Sequence, residues 1–149
     1  MLDGVAVLSA DGESPPLLDQ AEMFLRTRGR KLQRVLVVDD ERLIAETVTA
    51  ILNDNGFEAV EAYNGEEALE AARKFQPDIV LSDVLMPKMS GVELGIKIRL
   101  EFPGTRIFLF SGQAATSELM RKAQDDGYTF ELFPKPIHPE ELIAKLRGL

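Results

Sequence analysis

From Arg34 onward the chain alternates between two hydrophobic rhythms. Val35-Leu36-Val37-Val38 is an unbroken, β-branched-rich run, the pattern of a strand buried on both faces. Glu41 to Asn55 places Leu43, Ile44, Val48, Ile51 and Leu52 at helical spacing, and Gly56 follows where a C-terminal cap belongs. The same strand-then-helix pattern recurs along the rest of the chain. Strands are predicted at Phe57–Ala62, Asp78–Ser82, Arg106–Phe110 and Tyr128–Phe133. Asn64 with Glu67, and Ser90 with Glu93, have capping-box spacing, predicting helices that end near Phe75 and Glu101. A fourth helix is predicted from Gln113 to about Asp125, closed by Gly127. Pro139 opens a last helix running through Arg147, with His138 before it as the cap.

Repeated βα units with short connections imply an α/β fold with a parallel sheet and helices on both faces. Residues 1–33 read differently. Asp11-Gly12-Glu13-Ser14-Pro15-Pro16 has turn composition. Leu17, Leu18, Ala21, Phe24 and Leu25 share one helical face, and a short basic run from Arg26 to Arg34 follows. Residues 1–33 are thus expected to be an extension that is partly disordered or forms one short helix, and residues 34–149 the domain itself.

Composition narrows the choices only at a few points. With 149 residues one domain is expected, and it can bury a core without staples. The absence of cysteine removes disulfides and zinc–thiolate sites. No apolar run approaches the roughly 20 residues of a membrane span, and the N-terminus lacks a secretory signal pattern, so a cytoplasmic protein without membrane attachment is expected. The net charge of −8 argues against nucleic acid binding by the surface as a whole.

Ligands bind parallel sheets at the carboxyl ends of the strands. Asp39-Asp40 follow the first predicted strand, Asp83 the third, Ser111 the fourth and Lys135 the fifth. A parallel sheet therefore gathers three carboxylates, a hydroxyl and an ammonium at one edge. Clustered carboxylates need a counter-charge to stay ionised, and an oxygen-only ligand set favours a hard cation such as Mg²⁺. One carboxylate can act as the nucleophile toward phosphorus, while Lys135 and the Ser111 hydroxyl pair with phosphoryl oxygens. Phosphoryl transfer depends mostly on such positioning and electrostatics.

These residues resemble the receiver domain of bacterial response regulators. The match is carried by Val37-Val38-Asp39-Asp40-Glu41, by Ser82-Asp83-Val84-Leu85-Met86-Pro87 with Ser90-Gly91, by Ser111-Gly112 and by Lys135-Pro136. The resemblance implies a flavodoxin-like, doubly wound five-stranded parallel sheet in the order 2-1-3-4-5 with five helices. It implies phosphorylation of Asp83 by a histidine kinase or histidine phosphotransfer protein. Asp40 would be the direct metal ligand, Asp39 the second acidic residue, and Leu85 a ligand through its backbone carbonyl. Ser111 would be the switch hydroxyl, Lys135 the phosphate-pairing lysine, and the Lys135–Pro136 bond cis. Such a protein would catalyse only its own phosphorylation and dephosphorylation.

The resemblance departs at Leu132, where the family usually carries Tyr or Phe, while Phe130 and Phe133 flank it. Signalling is therefore expected through Ser111 rather than an aromatic flip, and a phosphorylation-independent interaction scaffold is the alternative reading. A haloacid-dehalogenase-type hydrolase would need Asp-x-Asp-x-Thr/Val after its first strand, which Asp39-Asp40-Glu41-Arg42-Leu43 does not supply. No output domain is expected after Leu149. Output is expected through protein contact at the helix 4–strand 5–helix 5 face, with homodimer formation left open.

Overall fold

The computed structural model describes residues 32–112 and 116–148. The expected helix at residues 17–25 and the expected helix start at Gln113 lie outside them. Five strands and five helices alternate: β1 (Arg34–Val38), α1 (Arg42–Asp54), β2 (Glu58–Ala62), α2 (Gly65–Phe75), β3 (Ile79–Asp83), α3 (Gly91–Glu101), β4 (Arg106–Ser111), α4 (Thr116–Asp125), β5 (Glu131–Pro134) and α5 (Pro139–Leu146). All strand pairs are parallel and the sheet order is β2-β1-β3-β4-β5, as the flavodoxin-like expectation required.

Strand alternation divides the core into two layers. Val35, Val37, Ile79, Leu81, Phe108, Phe110 and Phe133 face one side, against Val48 and Leu52 of α1 and Leu142, Ile143 and Leu146 of α5. Leu36, Val38, Val80, Ile107 and Leu109 face the other, against Ala68 and Ala72 of α2, Val92, Leu94 and Ile98 of α3 and Ala123 of α4. Every residue of β3 is buried. That two-sided burial is why the central strands read as continuous apolar runs.

Local signals position the helices. The Asn64 side chain accepts the Glu67 N–H at 2.8 Å, and Glu67 in turn accepts the Tyr63 N–H at 2.9 Å. Ser90 accepts the Glu93 N–H at 3.1 Å. Gly56 and Gly127, with φ of +89° and +94°, take left-handed conformations beyond α1 and α4, where a side chain would be strained. His138 does stand at the N-cap of α5 with Pro139 behind it, but its side chain makes no capping bond. Only its carbonyl serves the helix, accepting the Leu142 N–H at 3.0 Å.

The last strand starts later than its sequence suggests. Tyr128, Thr129 and Phe130 do not join the ladder, whose register begins at Phe108↔Glu131. Phe130 instead leans on α3, so close that a Cβ at Gly95 would lie 2.9 Å from its ring. Arg99 stacks on the same ring at 4.7 Å and donates to the Thr129 carbonyl at 2.9 Å. Tertiary packing has taken three residues of strand composition out of the sheet.

Candidate functional site

The five parallel strands end at one edge, and the expected residues meet there. Asp39 follows β1, its N–H donating to the Ala62 carbonyl at 3.2 Å so that the β1–β2 ladder runs on beneath it. Its carboxylate Oδ1 accepts the Glu41 N–H at 2.9 Å. Asp83 and Ser111 are the last residues of β3 and β4 rather than the first after them. The Asp83 carbonyl accepts the buried Ser82 hydroxyl at 2.9 Å.

Lys135 follows β5 and its N–H donates to the Ser111 carbonyl at 3.2 Å. The Lys135–Pro136 bond is cis. The Lys135 ammonium lies 3.2 Å from Asp83 Oδ1 and 3.9 Å from Asp39 Oδ2, with the Phe110 ring 5.2 Å away.

Asp39, Asp40 and Asp83 each offer a carboxylate oxygen, and these atoms lie within 4.8 Å of one another. Asp39 and Asp83 are buried and Asp40 is exposed. Burial pushes Asp39 up to about 6; the Glu41 N–H opposes this, and the Asp83 charge adds to it. Burial also raises Asp83, while the Lys135 ammonium draws it back down. One lysine is thus set against three carboxylates, and Asp39 Oδ2 is buried without a hydrogen-bond partner. Oxygen-only donors, excess negative charge and an unsatisfied buried oxygen together suit a hard divalent cation.

Two further residues, Leu85 and Leu132, lie beside this cluster in sequence. Leu85, two residues beyond Asp83, has a partly exposed side chain, 37% accessible, that offers no metal donor. Leu132 is 48% exposed and paired with Leu109 in register, while Phe133 is buried against Phe108 with centroids 5.6 Å apart. No register shift brings an aromatic ring to Leu132's place.

Residue-by-residue reading missed the packing that supports the site. A Cβ at Gly91 would collide with the Asp83 carbonyl, and the Gly91 N–H donates to the Val84 carbonyl at 2.8 Å. Gly91 stood within the quoted motif, but a helix-start glycine gives no sign of which backbone presses on it.

Comparison with known proteins adds independent findings. Residues 35–147 match the family described as response regulator receiver domain. A probable transcriptional regulatory protein, TcrX of Mycobacterium tuberculosis, is 38% identical over 117 residues, 77% of this chain and 48% of that protein. The DNA-binding response regulator MtrA of Mycolicibacterium smegmatis is 32% identical over 116 residues, 78% of this chain and 50% of that protein. The chain thus spans about half the length of the curated relatives it matches. The chemotaxis protein CheY4 of Vibrio cholerae superposes with a TM-score of 0.70 at 30% identity, covering 78% of this chain and 98% of that one. The expectation that no nucleic acid is bound finds no support in these relatives, one of which is named for DNA binding. Among the described residues no helix is long and apolar enough to cross a membrane.

Proposed function

The chain belongs to the response regulator receiver domain family, and from that premise we propose that it accepts a phosphoryl group from a phosphohistidine protein onto Asp83 in a two-component pathway or phosphorelay. The observation that carries this reading is the Lys135 ammonium 3.2 Å from Asp83 inside a pocket of three carboxylates. The reaction is a displacement at phosphorus. An Asp83 carboxylate oxygen forms the new O–P bond, the P–N bond to the donor histidine breaks, and its electron pair returns to the imidazole.

The chain's own groups do the positioning. The Lys135 ammonium stays close to Asp83 and pairs with a phosphoryl oxygen once the carboxylate is esterified. The Ser111 hydroxyl hydrogen-bonds another. Asp39, Asp40 and Asp83, with the Leu85 carbonyl, would hold Mg²⁺. When bound, that ion offsets the negative charge of the carboxylates and the incoming phosphoryl oxygens. Asp40→Ala is expected to weaken Mg²⁺ binding by calorimetry at least tenfold, since even outer-shell changes typically cost about 10–100-fold. Equal affinity in the variant would remove the carboxylates from the metal site.

The donor is a protein rather than only a small molecule, and one surface feature supports this. An apolar groove lined by Leu43, Ile44, Ile51, Pro136, Ile137 and Leu142 opens beside Lys135, and Leu43 is 77% exposed in it. Such patches mark contact surfaces. Receivers act as signalling proteins, and this one catalyses only its own phosphorylation and dephosphorylation. The family match over residues 35–147 supports taking residues 34–149 as the receiver unit.

Leu132 sets the form of the output. A bistable switch needs a contact that differs between its two states. Leucine has neither a hydroxyl to exchange partners nor a large ring to move, and Leu132 is already half-exposed. The differential contact is the Ser111 hydroxyl, which gains a phosphoryl oxygen only when Asp83 is modified. Signalling then runs through Ser111 and Gly112 to α4 and on to a partner at the α4–β5–α5 face. With beryllofluoride as phosphate mimic, Ser111→Ala is expected to cut the activation-dependent gain in partner affinity roughly tenfold, the scale of a hydrogen bond to a charged group. Leu132→Ala should keep most of that gain. The reverse pattern would refute this route.

A further inference from the structure

The loop between Asp83 and α3 is fastened at both ends. At its base the Gly91 N–H donates to the Val84 carbonyl at 2.8 Å, and a Cβ at Gly91 would strike the Asp83 carbonyl. Near its tip, Lys88 takes a φ of +71° and the Met89 N–H donates to the Pro87 carbonyl at 2.7 Å, making a tight turn. The turn presses the Met89 side chain onto Gly65, the first residue of α2. A Cβ built on Gly65 would lie 2.9 Å from both Cβ and Cγ of Met89 and would overlap its Sδ.

Gly65 is not required by its backbone, since its φ is not among the positive ones. At a helix start alanine is at least as good as glycine, so steric room for Met89 is what this glycine supplies. The seat is also firm. The start of α2 is held by Asn64 and Glu67, which satisfy the Glu67 and Tyr63 N–H groups, and Gly65 and Ala68 are buried. A methionine could swing its Sδ away. Its Cβ, fixed by the backbone and 2.9 Å from a Cβ at Gly65, cannot follow without movement of the loop.

We propose that Gly65 and Met89 form a positioning strut that fixes the loop carrying Leu85, and so sets the geometry of the metal and phosphoacceptor pocket. The proposal rests on the phosphoacceptor reading above. Relieving the overlap moves the Met89 backbone by roughly half to one ångström, a displacement that can cost up to about 10²-fold in a positioned reaction.

The test measures Mg²⁺ affinity by calorimetry and the rate of labelling by acetyl phosphate, with the thermal midpoint without metal as a check on folding. Gly65→Ala is expected to slow labelling at least tenfold and weaken Mg²⁺ binding, with little change in the metal-free midpoint. Adding Met89→Ala removes the Sδ and Cγ overlaps and is expected to recover at least threefold of the rate. Should Gly65→Ala fail to fold, Met89→Ala alone withdraws the strut without adding bulk, and labelling should fall several-fold. Gly104→Ala, whose Cβ would meet nothing within 4 Å, is the control. Wild-type labelling that Gly65→Ala and Met89→Ala leave unchanged, or a Gly65→Ala loss that Met89→Ala does not relieve, overturns the strut alone. A wild-type protein that neither binds Mg²⁺ nor takes label overturns the phosphoacceptor reading and the strut together.

Discussion

Asp83→Asn should take up no phosphate from acetyl phosphate and Mg²⁺, under conditions where the wild-type chain gains one. The amide is nearly isosteric with the carboxylate, so the buried end of β3 keeps its volume. What it loses is the anionic oxygen that attacks phosphorus, and an amide oxygen is far too weak a nucleophile to replace it. Other carboxylates nearby do not offer a substitute. Asp39 is fully buried with one oxygen engaged by the Glu41 N–H, and its nearest ammonium oxygen distance, 3.9 Å, exceeds the 3.2 Å of Asp83. Asp40 is exposed, and no ion pair with the Lys135 ammonium includes it. Intact mass spectrometry reads the outcome directly. Undiminished labelling of Asp83→Asn would reassign the phosphoacceptor and weaken the placement of Lys135 as its partner.

Much of this arrangement was legible in the chain because two simple periodicities coincide with it. The apolar runs gave β1 and β3, the helical stripe gave α1, and cap residues gave the starts of α2 and α3. The parallel sheet then forced Asp39, Asp83, Ser111 and Lys135 to one edge. What stayed hidden depended on contacts between segments distant in sequence. Tyr128-Thr129-Phe130 has strand composition, yet Gly95 leaves space on α3 for the Phe130 ring and Arg99 covers it. Met89 reads as an ordinary apolar residue, and only its fit onto Gly65 reveals a constraint. His138 has a polar side chain at a cap position, but the helix start is served by its carbonyl.

Removing the buried charge at the heart of the pocket should make the metal-free protein more stable while weakening its response to Mg²⁺. Asp39 has no exposed surface, and its Oδ2 lacks a hydrogen-bond partner. The nearest compensation is an ammonium 3.9 Å away that lies closer to Asp83. Its carboxyl is accordingly pushed up to about 6, burial being the main cause. A carboxyl whose folded value is raised contributes stability that is complete below its ordinary value near 3.8 and is lost as pH rises through the folded value. At neutral pH the ionised Asp39 is therefore a net cost in the metal-free fold. Asp39→Asn keeps the Oδ1 acceptor for the Glu41 N–H and discards the charge, so it should stabilise the metal-free protein by about 1–3 kcal/mol at pH 7. The difference between the two proteins should shrink as pH falls from about 7 toward 4, because the wild-type carboxyl becomes neutral as well. Mg²⁺ should narrow or reverse the ranking by binding the folded wild-type protein and stabilising it by mass action, while stabilising the variant less. Denaturant unfolding with and without Mg²⁺ at pH 5 and pH 7 separates these effects. A destabilised Asp39→Asn, or one stabilised by Mg²⁺ as much as the wild type, would show that this carboxylate is held by the fold for its own sake and not for a cation.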